Sequence, residues 1–142
     1  QGGFQNLFKM LKNLTKLHIL RINFGFSNVK EKELKVLAQS LTKLVRLEKL
    51  ALLFEECDVS DEGLAGLILS FKKLQFLNEL RLEKMSYDQP NDFEQSVNAL
   101  KEVTFSCKFL SLMHINIPQL SEDLSLILPD WMGSKRKSLL FV

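Results

Sequence analysis

Apolar residues fall at every second position through Leu50, Leu52 and Phe54, the period of a strand with one buried face. Just upstream, Leu34, Leu37, Ala38, Leu41 and Leu44 follow spacings of three and four, the stripe of an amphipathic helix. The same stripe returns as Leu64, Leu67, Ile68, Phe71 and Leu74, and earlier as Phe4, Leu7, Phe8, Leu11 and Leu14. The chain therefore reads as a helix followed by a short strand, repeated. The segment Leu17, Leu20, Ile22, Phe24 recurs 30 residues later as Leu47, Leu50, Leu52, Phe54, and after another 30 as Leu77, Leu80, Leu82, Lys84. A fourth copy fits as Leu110, Met113, Ile115, Ile117 after 33 residues, and a frame slid by two, Leu112, Ile115, Ile117, fits nearly as well. Leu140 with Val142 forms a truncated fifth after a further 27. Strand cores are thus expected near 19–24, 49–54, 79–84, 112–117 and 139–142.

Polar segments separate strand from helix. Between Glu55 and Glu62, Ser60 is a credible N-cap, and Asp61 and Glu62 suit the positive first turn of a helix. The connection from Met85 to Asp92 contains Pro90, which forbids an unbroken helix and absorbs the three extra residues of the longer interval. It is the best candidate for a protruding loop. Further on, Leu120 to Trp131 reads in two ways. It is a fifth helix, started by Ser121 and shortened by Pro129, or a C-terminal cap in which Trp131 covers the last leucines.

Composition agrees with one soluble domain spanning residues 1–142: 46% of residues are hydrophobic and 25% charged. Leucine stands out, with 29 of 142 residues, and its periodicity makes a repeat architecture the first candidate. A strand of about five residues and a helix of about twelve cannot bury both apolar faces alone, so each unit must cover its neighbour. A parallel sheet with helices on one side follows. A doubly wound α/β fold also alternates helix and strand, but it does not demand the same leucine register every 30 residues. No apolar run approaches the ~18 residues of a membrane span, so no membrane partner is expected. Two cysteines, Cys57 and Cys107, cannot make a secreted disulfide framework, which points to an intracellular site, cytoplasmic or cytoskeletal.

The Leu-x-x-Leu-x-Leu pattern, preceded by a helical stretch such as Val59 to Leu74, resembles leucine-rich repeats of the ribonuclease-inhibitor-like class, over residues 4 to about 117. The resemblance implies an α/β solenoid, a horseshoe segment with a parallel sheet on its concave face and helices on its convex face, used mostly to hold other proteins. One departure concerns the Asn or Cys ladder after each strand, represented only by Cys57; its equivalents are Ser27 and Tyr87. The chain is expected to hold about four repeats and a partial fifth, and, because both ends read as open, to be part of a longer array.

On the strands, the residues between the inward ones form two columns: Arg21, Ala51, Arg81, His114 and Asn23, Leu53, Glu83, Asn116. Arg21, Arg81 and His114 could anchor carboxylates, with Leu53 as an exposed apolar contact; the competing reading is an ordinary solvated sheet face. The candidate protein-binding set is Arg21, Asn23, Leu53, Arg81, Glu83, His114 and Asn116. Net charge is +2, but residues 1–50 carry 10 basic and 3 acidic side chains, residues 51–100 carry 4 and 10, and residues 101–142 carry 5 and 4. Such polarisation could orient a charged partner, although lysines such as Lys32, Lys35 and Lys43 sit equally well on a solvated helix face.

Nucleic-acid binding would want basic residues interleaved with exposed aromatics, whereas most phenylalanines lie in the buried register. The basic run Lys135 to Lys137 is too short for a nuclear-import address. His18 and His114 have no second ligand at metal spacing, and Cys107, on a helical stripe, is read as a buried structural thiol. Phosphate-binding loops and nucleophile elbows are missing from the sequence. The expectation is a non-enzymatic chain with no cofactor, metal or small-molecule ligand, docking a protein of unknown identity through the sheet or adjoining loops. A structural building block of a large cytoskeletal or ciliary assembly, or a regulatory region attached to an enzyme domain elsewhere in the chain, are the alternatives.

Overall fold

A computed structural model describes residues 3–25, 29–55, 59–85, 93–117 and 138–141. Four helices alternate with the first four strands: α1 (Gly3–Leu11), β1 (Ile19–Asn23), α2 (Glu31–Leu41), β2 (Lys49–Glu55), α3 (Asp61–Ser70), β3 (Glu79–Met85), α4 (Glu94–Ser106) and β4 (Leu112–Asn116), with β5 (Ser138–Phe141) following. One turn of 3-10 helix at Phe71–Lys73 continues α3. The strands form one open parallel sheet in the order β1-β2-β3-β4-β5, each paired with the strand that precedes it in the chain. Strand order never reverses, unlike that of a doubly wound sheet. The arrangement is α/β and repeat-like.

The register is the one the leucine spacing demands. Leu20 pairs with Leu50, Leu50 with Leu80 and Leu80 with Met113; Ile22, Leu52, Leu82 and Ile115 form the next rung. The 33-residue interval is therefore correct and the frame slid by two is not. At the fifth strand the register differs by one from expectation, because Leu139 and Phe141, rather than Leu140, stand opposite Met113 and Ile115. Ser138-Leu-Leu-Phe-Val142 offers two alternating apolar frames, and hydrophobic pattern alone cannot choose between them.

Leu50, Leu52, Leu80, Leu82, Met113 and Ile115 are buried with the inward stripes of the helices in one continuous core. At the far end of the strands a stack of rings replaces aliphatic rungs. Phe24 and Phe54 lie face to face at 4.6 Å and 8°, and Phe4 and Phe8 close on Phe24 from α1. The next position in this column, Lys84, is also fully buried, with its Nζ 5.3 Å from the Phe93 ring centroid, a cation–π geometry. Helix α1 departs from its expected stripe: Phe8 and Leu11 are buried but Leu7 and Leu14 are about half exposed. Among the described helices, α2 is the one with which this first helix makes substantial contact, so only one flank has a helix beside it.

Helix starts are tied across units. Ser60 caps α3 as expected, its Oγ accepting the Gly63 N–H at 3.0 Å, and its hydroxyl donates to the Glu31 carboxylate at the start of α2. A β-carbon on Gly63 would lie 2.6 Å from that carboxylate, so glycine permits the approach. Asp61 reaches further. Its carboxylate accepts the N–H groups of Gln95 and Ser96 at 2.9 Å each and the Ser96 hydroxyl at 2.7 Å. It thereby caps α4, whose own N-cap residue, Phe93, has no side chain able to do so.

Candidate functional site

The sheet face opposite the helices carries both expected columns. Register pairs Arg21 with Ala51, Ala51 with Arg81 and Arg81 with His114, and likewise Asn23 with Leu53, Leu53 with Glu83 and Glu83 with Asn116. Arg21, Arg81 and His114 line a shallow groove of about 290 Å³ whose floor includes Ala51. The methyl of Ala51 leaves room between two arginines that sit two strands apart. Lys49 and Glu79, bridged at 3.7 Å, form one wall.

The candidate residues are not equally available. Arg81 Nη2 donates to Glu83 Oε1 at 3.1 Å, so each is the other's first partner. Arg81 Nε and His114 Nε2, by contrast, are shielded atoms with no hydrogen-bond partner among the described residues. Asn23 Oδ1 accepts the Gly25 N–H at 2.8 Å, an Asx-type turn that leads into the left-handed Gly25 at φ 56°. Arg21 is exposed and Asn116 half-buried. Leu53 corrects an expectation: it is only 4% exposed. Strands lie about 4.8 Å apart, so a side chain on an interior strand is flanked on both sides, here by Asn23 and Glu83. Edge-strand residues such as Arg21 and Asn23 have one flank open. Leu53 is buried outside the helix-facing core and offers no exposed apolar contact.

Chemistry-bearing residues are placed structurally. Cys107 takes the position that Leu44 and Leu74 hold in earlier units; it is fully buried, and its thiol donates to the Phe71 carbonyl at 3.3 Å. Burial pushes the thiol up to about 11. His18 Nδ1 lies 3.0 Å from Glu48 in an exposed pair. Among the described residues no three His, Cys, Asp or Glu side chains converge as metal ligands, and no helix is long and apolar enough to cross a membrane. Cys57, the segment 86–92 with Pro90, and Leu120 to Trp131 lie outside the described residues.

Sequence reasoning missed a second surface. Phe76 and Phe109 are 54% and 62% exposed and stack at 6.1 Å and 19°. Each stands immediately before a leucine rung, Leu77 or Leu110. That off-register recurrence was the available signal. Neither a family model nor a curated protein sequence matches the chain.

Proposed function

We propose that the chain is a non-catalytic protein-binding module, part of a leucine-rich repeat array of the ribonuclease-inhibitor-like class, which docks an intracellular protein on the open face of its sheet. The Leu-x-x-Leu-x-Leu rungs in consecutive parallel strands support the family reading. The observation that carries the function is the groove over Ala51, a small residue between basic neighbours on an uncovered sheet face. Arg21 at its margin is exposed and has no carboxylate partner among the described residues, so a carboxylate of the partner can pair with it. The sheet is rigid by virtue of its ladder, so side chains there are held ready to bind.

The test places the photo-crosslinking residue p-benzoylphenylalanine at position 51 and, as a control, at position 35 on the helix side. A partner recovered from native extract at position 51 only is then purified. Its affinity for Arg21→Glu/His114→Ala should fall at least tenfold while circular dichroism is unchanged. Crosslinks confined to position 35, or undiminished affinity of the double variant, would move the docking site off the open face.

A further inference from the structure

By sequence, charge differs between the two kinds of connection as well as along the chain. The four helix-to-strand connections, residues 12–18, 42–48, 71–78 and 107–111, hold seven basic residues and one carboxylate, Glu48, which is engaged with His18. The three strand-to-helix connections between β1 and α4, residues 24–30, 56–60 and 86–93, hold one basic residue, Lys30, and four acidic ones by sequence. On the basic rim Lys72 pairs with Glu102 at 3.6 Å. Lys12, Lys16, Lys43, Arg46 and Lys73 have no carboxylate partner among the described residues.

Positions 16, 46, 76 and 109 are equivalent, each three residues before a strand's first register position. The ladder already runs between these connections: Glu48 and Asn78 donate N–H bonds of 2.7 Å to the carbonyls of His18 and Glu48, and Ser111 donates at 2.9 Å to Asn78. Lys16, Arg46, Phe76 and Phe109 therefore form one row along the rim, two cations and then two stacked rings. Arg46, Phe76 and Phe109 border a cleft of about 530 Å³ with His18, Glu48 and Asn78.

Cations at helix C-termini complement the macrodipole, which accounts for Lys12, Lys43, Lys72 and Lys73 without any ligand. It does not account for Lys16 and Arg46, which stand nearer the strands, nor for a ring pair left in solvent. Exposed aromatics next to an arginine are the composition of an interface anchor.

From this row we infer that the basic rim docks an acidic, aromatic-containing peptide segment of a partner protein, its carboxylates on Lys16 and Arg46 and an aromatic or large aliphatic side chain on the Phe76–Phe109 platform. Four connections at about 4.8 Å spacing span about 15 Å, the reach of four or five extended residues at about 3.3 Å each. Because the two rings stack on each other, they make a single apolar platform at one end of the cations. A single-stranded nucleic acid would favour rings and cations alternating along its backbone, so a peptide fits better. This inference rests on the reading of the chain as a protein-binding module but uses a different surface from the groove over Ala51.

The experiment pans a display library of random 12-residue peptides against the 142-residue chain and measures selected peptides, fluorescently labelled, by anisotropy. The expected sequences carry Asp or Glu beside Phe, Trp or Leu. Their affinity should fall at least tenfold in Phe76→Ala/Phe109→Ala and in Lys16→Glu/Arg46→Glu, fall with added salt, and persist in Arg21→Glu/His114→Ala. These rim side chains are exposed, and circular dichroism checks that each variant stays folded. Recovery of no peptide, of peptides without carboxylates, or of peptides insensitive to both rim variants overturns the inference. So does decathymidylate binding that is lost in the rim variants while no peptide binds. Loss only in Arg21→Glu/His114→Ala also overturns it while leaving the open-face reading standing; rim binding together with an inert open face does the reverse.

Discussion

Asp61 belongs to the first turn of one helix and caps the next. Its carboxylate holds two N–H groups and a hydroxyl of α4, so Asp61→Ala takes the acceptor from the N–H groups of Gln95 and Ser96. Loss of an N-cap costs about 0.5 to 2 kcal/mol, and the upper half of that range is expected here because Ser96 is fully buried. Urea unfolding of Asp61→Ala beside Glu62→Ala checks this. Glu62 is exposed, and its replacement should cost a few tenths at most; equal losses would mean that solvation, rather than capping, is the role of Asp61. Cys107 gives a second prediction at this scale. The folded thiol is raised from 9.0 to about 11 by burial, so between those values the unfolded chain has released a proton that the folded chain keeps. Stability is then fully present below about pH 9 and is lost as pH rises towards 11, by roughly 2 to 3 kcal/mol at most. Alkaline unfolding curves of Cys57→Ser and Cys57→Ser/Cys107→Ala should differ in slope across that window, and parallel curves would remove Cys107 as the source. In the single variant, Cys107 should react with a thiol reagent at pH 8 only once urea opens the chain.

At the scale of elements, the helix stripe and the strand alternation were legible because each is periodic and each period belongs to one geometry. Rungs through Leu20, Leu50 and Leu80 followed from spacing alone, and the N-cap at Ser60 from residue type and position. What the sequence concealed has lateral causes. Leu53 occupies the same register as Asn23, yet one lies on an interior strand and the other on an edge, so they differ in burial although their pattern position is identical. Leu7 and Leu14 extend an apolar stripe past the point where α1 has a neighbour to bury it. The capping of α4 by Asp61 joins residues 34 and 35 positions apart, and no local rule reads that distance. The two columns on the sheet face follow from strand alternation, but the groove over Ala51 does not. The Arg81–Glu83 pairing, and the exposure of Phe76 and Phe109 beside the rim cations, depend on side-chain packing that no periodicity encodes.

Across the whole molecule, substantial contacts run between successive units: α1 with α2, α2 with α3, α3 with α4, and each strand with the next. Stability in such an arrangement is the sum of each unit's own terms and its neighbour interfaces, so the same leucine should be worth different amounts at different places in one rung. Leu20, on edge strand β1, is half-buried, whereas Leu80, on interior β3, is 1% exposed. A fully buried Leu→Ala change costs about 2 to 5 kcal/mol through lost transfer energy and the cavity left behind. Leu80→Ala should fall in that range, and Leu20→Ala near or below its lower limit, since solvent already reaches the edge rung. Amide exchange sharpens the comparison. Local opening begins where few neighbours hold an element, so β1 amides should exchange faster than those of β2 and β3 in the unaltered chain. Leu20→Ala should speed β1 with little change at β3, whereas Leu80→Ala should loosen β2, β3 and β4 together. Equal costs for the two substitutions, or exchange accelerated uniformly by either one, would mean that the units unfold as a single block rather than as neighbours in a row.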